Sequence, residues 1–376
     1  MQPHSSAEPT PTPTPSPSLA PSAPRRRVLV LGATGTIGQA AVRSLVRHGH
    51  EVVCLVRQRN CAHSPQGSSD GTHPRAPGKS PDLRGIGADV NAVGTVQAPS
   101  GATVRMADVT DPVSLERDGI AGEHFEVLLS CLASRTGEPR DAWAIDHQAH
   151  LHALHAAQQA GVTQVVLLSA LCVQKPRLAF QHAKLAFEQA LVASGVTYSI
   201  VRPTAFFKSL SGQIERVRKG KPFLVFGNGQ LTACKPISDD DLGDYLATCI
   251  DNPSRHNRIL PIGGPGDAIT PLQQGDVLHQ LLGRPPRFTH VPVRLLDAIV
   301  AVLTLAGKVV PVLAAKAELA RIGRYYATES MLVWDAHHQR YDADATPSYG
   351  SHTLQDHYRD VLRGKTHHCP GDHAVF

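Results

Sequence analysis

The sequence predicts an α/β protein, a doubly wound parallel sheet with a smaller C-terminal lobe. Three observations lead there. The apolar run Val28 to Leu31 meets a glycine triplet that opens a helix-compatible stretch; apolar runs and helical stretches then alternate as far as Phe206; and beyond Phe206 the rhythm loosens into short elements. Strands that alternate with helices form a parallel sheet covered on both faces, with right-handed crossovers.

Residues 1–24 alternate Pro with Ser, Thr and Ala and bury too little apolar surface to fold, so a disordered tail is expected. The stretch lacks the apolar core of a secretory signal. It is Ser-rich with a single acid, Glu8, as a plastid transit peptide would be, but has no Arg before Arg25. The sheet domain is expected over 25–206: strand Val28 to Leu31, a helix through His48, then "EVVCLV" as a second buried strand. From Gln58 to about Ala102 the periodicity dissolves into Pro, Gly, Ser and His, which predicts a mobile insertion over 58–102. Strands follow at 102–109, 125–132, 164–171 and 197–206, with helices across 141–160 and 180–194. A substrate-side lobe interleaved with the sheet is expected over 207–362 and a loose tail over 363–376. Between Arg294 and Ala315 an apolar stretch approaches membrane-spanning length, but Asp297, Lys308 and Pro311 interrupt it. A core helix is the first expectation there, with peripheral membrane contact through 294–315 as the alternative.

The chain carries a net charge of +5, with 18% charged and 5% aromatic residues. No basic stripe or aromatic platform argues for nucleic acid, whereas mild positive charge suits an anionic small molecule. The seven cysteines, 54, 61, 131, 172, 234, 249 and 369, are scattered and never in C-x-x-C spacing, which fits reduced thiols and no zinc site. His147, His150, His152 and His155 crowd one helix and "HHC" lies near the C-terminus; without carboxylate or cysteine at ligand spacing, a solvated helix and a loose tail are expected, with no metal.

The strongest chemical signal is Gly32-Ala-Thr34-Gly35-Thr36-Ile37-Gly38, placed between strand and helix. Backbone N–H groups and the positive helix end converge there on a pyrophosphate. Gly32 makes the tight turn, Gly35 admits the phosphates, and Gly38 lets helix and strand approach. The G-x-x-G-x-x-G spacing resembles the short-chain dehydrogenase/reductases, so a Rossmann-type NAD(P)-binding domain is expected. The second strand ends at Arg57 rather than at an acid, and a guanidinium matches a 2′-phosphate, which favours NADPH over NADH. Ligands lie beyond the carboxyl ends of parallel strands, so Asp108 and Val109 are expected near the adenine, Ser130 to Ala133 (with Cys131) beside the inner ribose, and Ser169 and Pro203 further along the same edge. Lys184 follows Ser169 at the superfamily's separation and is expected to hold the nicotinamide ribose and to be catalytic. Four residues before it, the superfamily's tyrosine position holds Phe180. Without an acid there an alkoxide would form unassisted. Hydride addition to an alkene conjugated with a large π-system instead gives a delocalised carbanion that another donor can protonate.

The segments "VQKP", "RPTAFFKSL" and "CKPIS", with "GATGTIGQAAVRSLVRHGHEVVCLVR", "LPIGGPGDAITPLQQGDVLHQLLGRPP" and "RIGRYYATESMLVWD", resemble the divinyl chlorophyllide a 8-vinyl reductases of plants and photosynthetic bacteria. The likeness covers 28–57, 103–111 and 124–355. It implies NADPH-dependent reduction of an 8-vinyl group to ethyl on a magnesium tetrapyrrole substrate. It places Phe206, Phe207 and Lys208 where an apolar face and a cation would meet the macrocycle and its carboxylate, with Lys235 as a second carboxylate partner. A quinone or alkenal reductase and a non-catalytic NADP-binding regulator or assembly subunit are the alternatives. A bacterial cytoplasm is the expected compartment, with the plastid as alternative.

Overall fold

The computed structural model describes residues 24–57 and 101–365. The Pro-rich start, nearly all of the expected insertion and the "HHC" stretch lie outside the described residues. The first half runs β1 (Arg27–Leu31), α1 (Thr36–Arg47), β2 (Glu51–Val56), β3 (Ala102–Met106), β4 (Val127–Ser130), α2 (His150–Gln159), β5 (Gln164–Leu168), α3 (Ala179–Ala193) and β6 (Thr197–Pro203). The second half contributes β7 (Phe223–Phe226), α4 (Asp239–Thr248), β8 (Arg258–Ile262), α5 (Pro271–Leu281), β9 (Phe288–Val291), α6 (Val293–Gly307), α7 (Pro311–Thr328), β10 (Val333–Asp335), β11 (Arg340–Asp342) and α8 (Leu354–Leu362).

Seven strands form one parallel sheet in the order β3-β2-β1-β4-β5-β6-β8. Both faces are covered, so β1 is apolar throughout and its side chains divide between two cores. Val28 and Val30 pack with Ala41, Leu45, Leu242 and Leu246 beneath α1 and α4. Leu29 and Leu31 pack with Ala153, Phe187 and Leu191 beneath α2 and α3. β3, β4 and β5 stop short of the expected C-terminal limits, and the residues beyond them become loops of the carboxyl edge.

The segment after β3, for which the sequence carries no signal, is helical (Pro112–Ser114, then Leu115–Ile120), capped by the Asp111 side chain on Val113 N–H at 3.0 Å; it is too short to show a helical period in sequence. Two expectations are corrected. His150 is buried, so the histidine-rich helix is not solvated throughout. The 294–315 stretch is not a core helix: α6 has no buried residue, and Val302 and Leu305 are 66% and 68% exposed. It forms a hairpin with α7, where Gly307 meets the Ala314 backbone and Arg324 pairs with Asp297. Among the described residues no helix is long and apolar enough to cross a membrane.

The chain after Phe206 returns to the sheet. The α4 helix lies on α1 so closely that a Cβ at Gly243 would stand 2.5 Å from the Ala40 carbonyl carbon. This contact brings the start of α4 beside the glycine turn.

Candidate active site

Gly32 has φ +72°, and a Cβ there would fall 2.6 Å from the Cys131 backbone, so both turn and spacing require glycine. A Cβ at Gly38 would stand 2.1 Å from the Gly32 carbonyl oxygen, which shows the close helix–strand approach. At Gly35 an added Cβ meets nothing nearer than that oxygen at 3.5 Å, so this side of the turn is open. The Gly35 N–H closes the turn on Gly32 O at 3.1 Å, and α1 begins at Thr36 without a side-chain cap or an acid in its first turn. Uncapped amides beside an open glycine fit a pyrophosphate. Thr34 is exposed and Ile37 packs into the sheet core. The Thr36 hydroxyl bonds to Asp239, the first residue of α4; burial raises that carboxyl's pKa, against the hydrogen bond and the nearby Lys208 charge. Sequence reasoning missed Asp239, because a Ser-Asp-Asp-Asp run reads as helix capping.

Arg57 is exposed at the end of β2. Asp108 accepts from Thr110 N at 2.9 Å and Oγ1 at 2.7 Å; the hydroxyl bond holds its carboxyl below the usual range, and the Arg57 charge adds to this. Its side chain therefore organises a turn, and Val109 packs partly into the core.

Lys184 is the centre of the edge. Its ammonium is 2.9 Å from Asp146 Oδ1, with 12% of the lysine side chain and none of the aspartate side chain exposed. The Ser134 N–H and hydroxyl donate to the same carboxylate at 3.3 and 2.5 Å. Burial opposes ionisation of Asp146, but the Lys184 charge and the Ser134 bond outweigh it and hold the carboxyl low. Asp146, His150, Ser169 and Lys184 line a narrow gap here, too tight to hold a water.

The two serines expected along this edge turn inward. Ser130 Oγ pairs with His150 Nε2 at 2.9 Å, while His150 Nδ1 faces Ile145 O at 2.9 Å. A proton on Nδ1 donated to that carbonyl leaves Nε2 to accept from Ser130. Ser169 donates to Glu188, which is gripped by Arg202 in a buried pair. Burial pushes the Cys131 thiol up to about 12, and Pro203 is buried at the end of β6. Phe180 joins an apolar cluster with Cys172, Ile322 and Tyr325. Sequence spacing did not reveal Asp146, Ser134 or His150, because each works only through a partner brought by the fold.

The substrate-side residues divide. Phe206 is half-buried at the edge and Lys208 lies within reach of Asp239. Phe207 is corrected: it is 3% exposed, packed between the rings of His352 and His357, and cannot face a macrocycle. Lys235 donates to Thr346 O at 3.1 Å, so its ammonium already serves the 346–348 loop. Among the described residues there is no cluster of metal-ligating side chains.

A family model described as NAD(P)H-binding matches residues 81–253. The chain is 46% identical over 364 residues to the chloroplastic divinyl chlorophyllide a 8-vinyl-reductase of Oryza sativa subsp. indica, covering 95% of this chain and 84% of that protein. This chain belongs to the divinyl chlorophyllide a 8-vinyl reductase family. The Zea mays member is 44% identical over 93% of this chain and 82% of its own length. An NADPH-dependent quinone oxidoreductase from Escherichia coli, solved with NADPH, shares the fold at a TM-score of 0.58 and 17% identity, covering 89% and 99% of the two chains. The cofactor is a nicotinamide nucleotide. The plant members are designated chloroplastic, which overturns the expected bacterial cytoplasm and favours the plastid.

Two outcomes follow from the buried pair. Lys184→Met leaves the Asp146 charge uncompensated and should cost about 3–5 kcal/mol in urea unfolding; adding Asp146→Asn should restore part of that loss, and strict additivity would remove the coupling. For His150, burial first and the Lys184 charge second lower the pKa from 6.5 to about 4. The unfolded chain then takes up a proton that the folded chain refuses, so stability should fall as pH drops from about 6.5 towards about 4, by up to roughly 3 kcal/mol. His150→Gln should flatten that slope in pH-dependent unfolding; an unchanged slope would assign it to other groups.

Proposed function

We propose that the chain reduces the 8-vinyl group of divinyl chlorophyllide a to ethyl, with NADPH as reductant, in the plastid. The observation that carries this reading is the pairing of a largely withdrawn Lys184 with an apolar cluster at position 180. A carbonyl reduction at this edge would need an acid where Phe180 stands; a conjugated vinyl group leaves no oxyanion to protonate. Bound NADPH supplies a hydride. The residues of the chain hold and orient the reactants: the amides of α1 take the pyrophosphate, Arg57 takes the 2′-phosphate, and Asp146 fixes Lys184 for the ribose hydroxyls. Lys208 and the half-buried Phe206 are the residues offered to the magnesium tetrapyrrole.

Purified protein mixed with NADPH and divinyl chlorophyllide a should shift the Soret band to shorter wavelength; no shift beyond the enzyme-free control would defeat the reading. Tight NADPH binding without turnover on pigment or quinone would favour a regulatory or assembly role. Arg57→Ala should weaken NADPH by tenfold or more, on the order of 1.4 kcal/mol, and leave NADH nearly unchanged in a fluorescence titration; equal weakening would refute the 2′-phosphate contact.

A further inference from the structure

Vinyl reduction requires a proton as well as a hydride, and position 180 has no phenol to give one. The chain has seven tyrosines. Tyr325, Tyr341, Tyr349 and Tyr358 each donate to carbonyl or carboxylate oxygens, which hold their protons in place. Tyr198 pairs with Val165 towards the amino ends of the strands, and Tyr245, on α4, packs into the core shared with α1. Tyr326 differs from all of these. Its hydroxyl reaches inward to Cys172 Sγ at 3.9 Å, and a thiol sulfur is a weak acceptor. The residue as a whole is 38% exposed, while its hydroxyl end is buried against Cys172.

Its neighbours place it at the reacting edge. Cys172 lies in the Leu171–Gln174 turn that follows β5, where the carboxyl ends of the strands meet the ligand. The Gln181 carboxamide and the Tyr326 hydroxyl both bond to the Cys172 thiol, and the Lys184 charge is near enough to favour its thiolate. The α7 helix that carries Tyr326 is fastened there: Tyr325 donates to Cys172 O at 3.0 Å and Lys175 O at 3.1 Å, and Ile322 packs with Phe180. A phenol delivered by α7 thus arrives beside the slot that α3 fills with Phe180.

We infer that Tyr326 is the proton donor of the vinyl reduction, oriented by Cys172. The inference rests on the function proposed above. In the step, the vinyl π bond breaks; one carbon gains hydride, with two electrons, from the nicotinamide, which is oxidised. The other carbon takes the Tyr326 proton as the O–H bond breaks, and the phenolate is reprotonated from water. Burial of the hydroxyl end keeps the phenol neutral at ordinary pH, as a proton donor requires.

Tyr326→Phe and Tyr325→Phe are compared with wild type in the Soret assay, with NADPH affinity read by fluorescence and phenol ionisation by ultraviolet titration without cofactor. Tyr326→Phe should bind NADPH within twofold of wild type, lose one high-pH phenolate transition, and lose about 10²–10⁴-fold in kcat with little change in KM. Fluorotyrosine at position 326, which leaves the fold intact, should move the alkaline limb of kcat to lower pH. A Tyr326→Phe kcat within threefold of wild type, or an alkaline limb that fluorotyrosine does not move, overturns the assignment. A wild type without turnover defeats the parent function instead, and so the two failures are distinct.

Discussion

A lysine ammonium almost withdrawn from water must have its charge met on the spot, and the site is organised around that requirement. Asp146 meets it for Lys184, and because the carboxylate is itself fully buried it must in turn be satisfied by the Ser134 amide and hydroxyl. Three segments are fixed by one set of polar contacts: the loop after β4, the π-helical turn Trp143–Ala149 and α3. Such a pair adds little net stability against an apolar substitute, yet it is costly to break from one side. What it secures is the position of a cation at the carboxyl edge of the sheet.

The second constraint is the close approach of backbones around the glycine turn. Gly32 and Gly38 let α1 sit directly at the end of β1, and Gly243 lets α4 sit on α1. Residues from the second half of the chain thereby reach the glycine turn, with Asp239 against Thr36. The same folding back unites segments distant in sequence. Gln174 of "VQKP" exchanges hydrogen bonds with the Leu332 and Trp334 backbone of "ESMLVWD", and Lys175 lies 4.1 Å above the Trp334 ring. Ile237 of "CKPIS" bonds to Ala205 in "RPTAFF". These motifs are parts of one edge.

The parallel sheet was legible in the sequence because buried strands are apolar on both faces and the glycine triplet marks where the first one ends. The glycine turn was legible because its spacing is local. What could not be read depends on partners across the fold. Ser130 and Ser169 occupy the expected strand ends, but His150 and Glu188 draw their hydroxyls inward. Phe207 stands beside Phe206 in sequence, yet adjacent residues diverge in direction and only one stays at the edge. The α6 stretch reads as core by hydropathy alone, which does not reveal that, with α7 packed along it, its Val302 and Leu305 stay exposed.

The most direct test is a crystal structure of the protein with NADP+. The account predicts the pyrophosphate on the first amides of α1, and the nicotinamide between the Lys184 ammonium and the turn that carries Cys172. A nucleotide bound elsewhere, or a nicotinamide ring directed away from α3, would contradict it.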